Sequence, residues 1–405
     1  MKLPLLRLSS TTVALAFLGV QAASAQDIQK ANNTTALNLA GSWTGESVPG
    51  SGNRAVYTGL GSLSTALGAD LSWQGIRHAG NTGTWTITGS NTLTLGSSGI
   101  EISGTGSGGV TINSNVIQGA NASYVTANGR NITLGGSLSG SGNINVSGTG
   151  LLLLNGNNSG YTGVITTSAR ISVGSDTALG TQSLVMNNGS FLNAGGVSRT
   201  LANGITVSGG VTLETVNSSR NLTLNGVISG SGSVTKAGTG VLTLNNNNSY
   251  SGTTTVSAGT LLINGYQTGV GQVTVGSAGT LGGSGNIAGS LHFDAGANFV
   301  FSLTDTLTVN GANVSFAGFS MSNVIGLDSS VASGIYELIN GAASIDFTNV
   351  SNVGFANAFD LGDGRSAYFR AGSLEVVVVP EPGTAAFLIV GLALVPAYRR
   401  LRKAI

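Results

Sequence analysis

The chain contains no cysteine, so its fold cannot rely on disulfide staples or thiolate metal sites, even in an oxidising compartment. Charge is scarce as well: Asp, Glu, Lys and Arg together make up 8% of the 405 residues. Six of the 16 basic residues, Lys2, Arg7, Arg399, Arg400, Arg402 and Lys403, lie in the two terminal segments. Between Gln26 and Val379 that leaves ten basic residues against 14 acidic ones. Such a body presents no basic field to phosphates, which argues against nucleic acid as a partner. Histidine is limited to His78 and His292, with no paired metal-ligand spacing. Both read as turn or surface residues.

The acids are scattered too. Glu101, Asp176, Glu214, Asp294 and Asp305 are isolated in sequence, whereas glycosidase chemistry needs two carboxylates within about 5 to 9 Å. Gly104, Gly106 and Gly109 satisfy a dinucleotide-type spacing, but glycine is so abundant that chance supplies it, and no strand-to-helix unit follows. Gly282-Gly283-Ser284-Gly285-Asn286 has Asn where a calcium-binding nonapeptide needs Asp. Asp360-Leu361-Gly362-Asp363-Gly364 reads as a solvated loop rather than a cation site. No catalytic, cofactor-binding or metal site is expected, and no enzymatic activity. Trp43, Trp73 and Trp85 are the only tryptophans, all near the start of the body. Exposed, they would pack on sugar rings; buried, they would cap a core.

What is present is glycine, 65 residues, about twice the usual roughly 7%, together with 40% hydrophobic residues. Val, Leu and Ile alternate with polar residues in runs of three to five, separated by Gly, Asn and Ser, as half-buried strands joined by tight turns require. Helix signals are few. An offset of 90 aligns Asn131-Ile132-Thr133-Leu134 with Asn221-Leu222-Thr223-Leu224, Leu138 to Gly142 with Ile228 to Gly232, and Leu152 to Asn155 with Leu242 to Asn245. One extra residue in the first copy brings Tyr161 against Tyr250. The expected fold is all-β: an elongated, right-handed parallel β-helix (β-solenoid) with inward aliphatic residues, Leu242 among them. Asn245 to Asn248 fit either amide ladders stacked at corners or an isolated polar turn. At about 20 residues per turn the body makes about 17 turns, roughly 80 Å.

The stretch from Gly238 to Gly265 resembles the autotransporter-associated β-strand repeat, found in passenger regions of secreted bacterial surface proteins, and the resemblance implies a β-helix. Weaker echoes occur at Gly271 to Leu281 and around Thr181 to Ala194. Because an apolar stretch and a basic tail stand at the C-terminus, where an autotransporter carries many tilted strands of about ten residues, self-translocation through a barrel of its own is not expected.

The ends read as addresses. Lys2 and Arg7, an apolar run from Thr11 to Val20, and Ala23-Ser24-Ala25 before Gln26 form a signal peptide cut after Ala25, since the peptidase pocket admits small side chains. At the other end Val379-Pro380-Glu381-Pro382 precedes an apolar stretch from Thr384 to Tyr398 and the basic tail Arg399, Arg400, Arg402 and Lys403. Fifteen helical residues rise about 22 Å, short of the roughly 30 Å of a hydrocarbon core, and the basic tail stays cytoplasmic. This arrangement resembles a PEP-CTERM sorting signal. The resemblance implies recognition by an exosortase, removal of the transmembrane helix, and an exopolysaccharide-rich setting.

The chain therefore divides into a signal peptide (1–25), an N-terminal β-rich region (26–127), the repeats (128–290), a C-terminal β-rich region (291–375) and the sorting signal (376–405). The expected protein is an exported envelope or matrix protein, structural or adhesive. Its partners are signal peptidase, an exosortase-type enzyme, an exopolysaccharide and, before processing, the membrane. The alternative is an extracellular polysaccharide lyase or hydrolase on the same scaffold.

Overall fold

In the computed structural model, which describes residues 25–59, 61–79, 83–104, 106–127 and 129–380, the alternating runs become strands wound into a three-sided coil. The first side stacks strands such as Ile132–Leu134, Leu151–Leu154, Arg170–Val173 and Phe191–Ala194 in parallel. The second carries Arg199–Leu201, Leu222–Leu224 and Val241–Leu244. The third carries Ile144–Gly148, Ile165–Thr167, Leu184–Asn187 and Ile205–Ser208. The period-2 pattern points every second residue inward. Ile132, Leu152, Ile171, Leu192 and Leu213 are thus both in register and buried, forming one aliphatic column of a continuous core.

Corners between sides depend on glycine where backbones meet. A Cβ on Gly150 would stand 1.9 Å from the Arg130 carbonyl oxygen, and Gly148 also has φ of +105°, a region that L side chains rarely adopt.

The two repeat copies do not lie above one another. Ile132 belongs to a column that reaches Leu213, whereas its counterpart Leu222 pairs with Arg199 and Leu242 on the second side. The 90-residue offset therefore corresponds to four turns plus one third. The local pattern is the same on either side of the coil.

The coil has about 12 turns, not 17. Turn length varies from 18 residues, where Val273 faces Leu291, to 32, where Leu307 faces Ile339. Moreover, the last strands leave the coil. Leu374–Pro380 pairs antiparallel with both Gly334–Asn340 and Arg365–Phe369, and the latter pairs antiparallel with Phe359–Gly362. At about 4.8 Å per turn the coil spans roughly 58 Å. Among the described residues the only helical segments are 3-10 turns such as Ala40–Ser42, and no helix there is long and apolar enough to cross a membrane. The signal helix and the C-terminal transmembrane helix read from the sequence fall in residues 1–24 and 381–405, outside the described residues.

Candidate functional site: corners and outer faces of the coil

The interior takes up the aromatic residues that sequence left open. Trp43, Trp73 and Trp85 are all at most 2% exposed. Trp43 meets Trp73 edge-on at 5.7 Å, and Trp73 stacks on Trp85 at 6.3 Å. They plug the N-terminal end of the core and offer no indole face to a sugar.

Several corners place backbone carbonyls inside, where each needs a donor. Thr126 and Thr167 supply hydroxyls to the carbonyls of Ser147 and Ala169. Asn158 and Asn248 sit at matching repeat positions; their Oδ1 atoms accept the amides of Leu138 and Ile228, each at 2.7 Å. Three corners use cations. Lys30 donates to the carbonyls of Ala31 and Asn33, and Lys236 to those of Ala237, Gly238 and Ala258 at 2.7 to 3.0 Å. Burial lowers both lysines to about 8. Arg130 donates to the Ser103 carbonyl at 2.7 Å, to the Gly108 carbonyl, and to Nδ1 of His78. His78 Nε2 in turn donates to the Gly83 carbonyl at 2.8 Å. Burial, and then the Arg130 charge, push His78 below its ordinary range.

His78 is accordingly a core residue, which corrects the surface role expected for it. It points inward because a buried carbonyl, that of Gly83, accepts from its ring. His292 does lie at the surface, bonded to Ser315 and 3.3 Å from Asp294. The buried tyrosines also find partners: Tyr161 donates to the Gly142 carbonyl at 2.8 Å, while Tyr250 bonds the side chains of Thr254 and Gln267, and burial raises Tyr250 to about 12.

On the outside, charges pair across turns. Asp27 and Glu101 each contact both Arg54 and Arg77, at 2.7 to 3.4 Å, forming a four-membered network on the third side. Glu214 pairs with Arg170 at 3.0 Å. These acids are committed to guanidinium groups, and among the described residues no three His, Asp or Glu side chains converge as a metal site. Asp360 and Asp363 belong to the hairpin joining Phe359–Gly362 to Arg365–Phe369, where Asp360 accepts the Gly362 amide and Asp363 the Ser329 hydroxyl. A groove of about 420 Å³ beside the first strand is lined by Gln26, Asp27, Gln29, Thr44, Ser47 and Asn53.

Between these charges the outer faces carry regular rows of uncharged side chains. Thr212, Thr235, Thr255 and Thr274 lie in register along the first side. Asn245 donates to Asn225, and Asn264 to Asn245, both at 2.9 Å, so Asn245 forms an amide ladder, whereas Asn246, Asn247 and Asn248 of the same run bond backbone groups. Leu242 is fully buried. Gln26 opens a strand, opposite Asn53. Val379 and Pro380 end the strand Leu374–Pro380, opposite Ser366 and Arg365. Ala25 is described but lies in no strand. Ala23, Glu381, Pro382 and the basic tail lie outside the described residues.

Residues 234–263 match the family described as Passenger-associated-transport-repeat. They comprise the carbonyl-bound Lys236, Leu242 and the corner amide Asn248. A stretch of 75 residues, 18% of this chain, is 48% identical to the adhesin BmaC autotransporter of Brucella suis biovar 1 (strain 1330), of which it covers 2%. No solved structure matches the chain. Thus the repeat segment is similar to the passenger-associated repeats, and the chain spans only a small part of the curated relative.

Proposed function

We propose that this protein is an exported bacterial surface or matrix protein whose right-handed β-solenoid acts structurally or adhesively. The single observation that carries this reading is the repeat: residues 234–263 match the passenger-associated family, and a 75-residue stretch is 48% identical to an autotransporter adhesin. The regular outer rows support it, because hydroxyl and amide groups repeated from turn to turn, such as Thr212, Thr235, Thr255 and Thr274, suit extended, multivalent contact more than catalysis.

Delivery, in this reading, runs through a signal peptide cut between Ala25 and Gln26, and through a C-terminal PEP-CTERM signal read by an exosortase-type enzyme. Pro380 and Pro382 keep the chain extended around Glu381. The transmembrane helix seats the substrate, while Arg399, Arg400, Arg402 and Lys403 resist translocation. An exopolysaccharide is the proposed matrix partner. Mass spectrometry of envelope and medium fractions tests the route: the mature chain should begin at Gln26 and lack Ile405, and replacing Pro380-Glu381-Pro382 by alanines should trap an unprocessed membrane form. Recovery of Met1 and Ile405 in mature material defeats it. For the function itself, cells lacking the protein should lose surface attachment or matrix cohesion.

A further inference from the structure

We infer that the apolar segment 384–398 doubles back in water onto an exposed apolar row of the C-terminal sheet, and covers that row for as long as the segment stays on the chain. The row lies on the outer face of the antiparallel extension. Ile335 faces Val377, and Val377 faces Tyr368 on its other side. Residues paired across an antiparallel sheet point to one face. Their neighbours Val376, Val378, Ala367 and Phe369 fill the opposite face, where they are buried. Phe355 extends the row by packing edge-on against Tyr368 at 5.9 Å. Ile335 and Phe355 are 58% and 52% exposed, while Val377 and Tyr368 are half-buried. A contiguous apolar row on an outer face marks a contact surface.

The chain's own continuation fits it in length. The strand that carries Val377 ends at Pro380, and residues 381–405 follow directly, outside the described residues. Glu381, Pro382 and Gly383 lead away from the sheet by at most about 10 Å, and Gly383 has the backbone freedom for a sharp return. A helix of 15 residues measures about 22 Å. Running back along the strand, it ends about 12 Å short of Pro380 on the Val377 side, which is the reach of three to four strand residues. Its width of about 10 Å equals the two strand spacings from Ile335 to Tyr368. Phe387, Leu388, Ile389 and Leu392 supply apolar side chains for the contact.

Charge selects this occupant over a bilayer. Just beyond Val377 on the same face, Glu337 stands opposite Glu375, where Arg399, Arg400, Arg402 and Lys403 arrive if the segment doubles back. Glu337 is exposed, and Glu375 is also held by Arg370 at 3.0 Å. From Ala237 to Pro380 eight acidic residues stand against only Arg365 and Arg370. This end therefore repels an anionic lipid surface and attracts the basic tail. The contact goes beyond the sorting route, because it needs only that the segment stay attached. Removal of the segment bares the row.

The test uses the full chain in detergent-free buffer, confirmed by mass to end at Ile405. Because the chain lacks cysteine, Ile335→Cys and Phe355→Cys each carry a single thiol, and Val197→Cys, at a coil position 56% exposed, is the matched control. Both sheet thiols should react with a maleimide at least about tenfold more slowly than the control. Adding Leu388→Asp and Leu392→Asp should raise those two rates at least about tenfold, with the control rate and the circular dichroism unchanged. Protection should not depend on protein concentration. Equal rates with and without the two aspartates overturn the inference. So does protection that grows with concentration, which gives the row to a second copy, and so does protection that requires added anionic lipid vesicles, which gives it to a membrane. None of these outcomes bears on the sorting route, which the termini of exported material test separately.

Discussion

Removing the Asn158 side chain should destabilise the middle of the coil far more than its chemistry suggests, because one amide serves three turns. Its Oδ1 accepts the Leu138 amide at 2.7 Å and its Nδ2 donates to the Ala178 carbonyl at 2.7 Å. The residue is fully buried, so water does not replace either bond without opening the corner. Asn158→Ala leaves two buried backbone groups unpaired. At about 1–3 kcal/mol each, the loss should be about 2–6 kcal/mol. Asn157→Ala is the control: its neighbouring side chain bonds Ser159 and Thr177 at the exposed surface, and the cost should stay within about 1 kcal/mol. Stacked turns couple mainly to their neighbours, so amide exchange is the appropriate assay. Protection should fall at Leu138 and in the adjoining turns and persist at Val314. A loss under about 1 kcal/mol with Leu138 still protected would refute the assignment of the amide as a bridge between turns.

Leu242→Asp should prevent stable folding of the repeat segment, since it sets an unpaired carboxylate between Leu222 and Leu261 in the core; a near-native denaturation midpoint would count against the register. Gly150→Ala should cost more than the roughly 1 kcal/mol of an ordinary surface change, because its Cβ meets the Arg130 carbonyl at 1.9 Å, and unchanged thermal stability would contradict that contact. His78 is depressed from 6.5 by burial and by Arg130. The unfolded chain therefore takes up the proton first, and the stability present above pH 6.5 is lost as pH falls through the folded value. Denaturation midpoints should drop between pH 7 and pH 5, and His78→Gln should flatten that slope; an equal slope in the variant would remove His78 as its source.

Much of the architecture is determined by the sequence alone. Alternation of Leu222, Thr223 and Leu224 dictates strands with one apolar face, and glycine-rich spacers dictate tight corners, because both follow from local sterics and side-chain direction. The same locality makes Leu242 inward and allows Asn225, Asn245 and Asn264 to form a ladder. The Asn245 to Asn248 run was legible as a polar corner, but the inward turn of Asn158 and Asn248 onto the Leu138 and Ile228 amides was not, because backbone partners leave no mark in the sequence. Tertiary structure alone decided what depends on accumulated turn length. The copies at Ile132 and Leu222 lie a third of a turn out of line because each corner tolerates different numbers of residues. That spacing also brings Arg130 to His78, 52 residues apart, and Asp27 to Arg77, 50 apart. The charge of Lys236 gives no sign that it would point inward, since its partners are backbone carbonyls, which every residue carries and no sequence pattern marks.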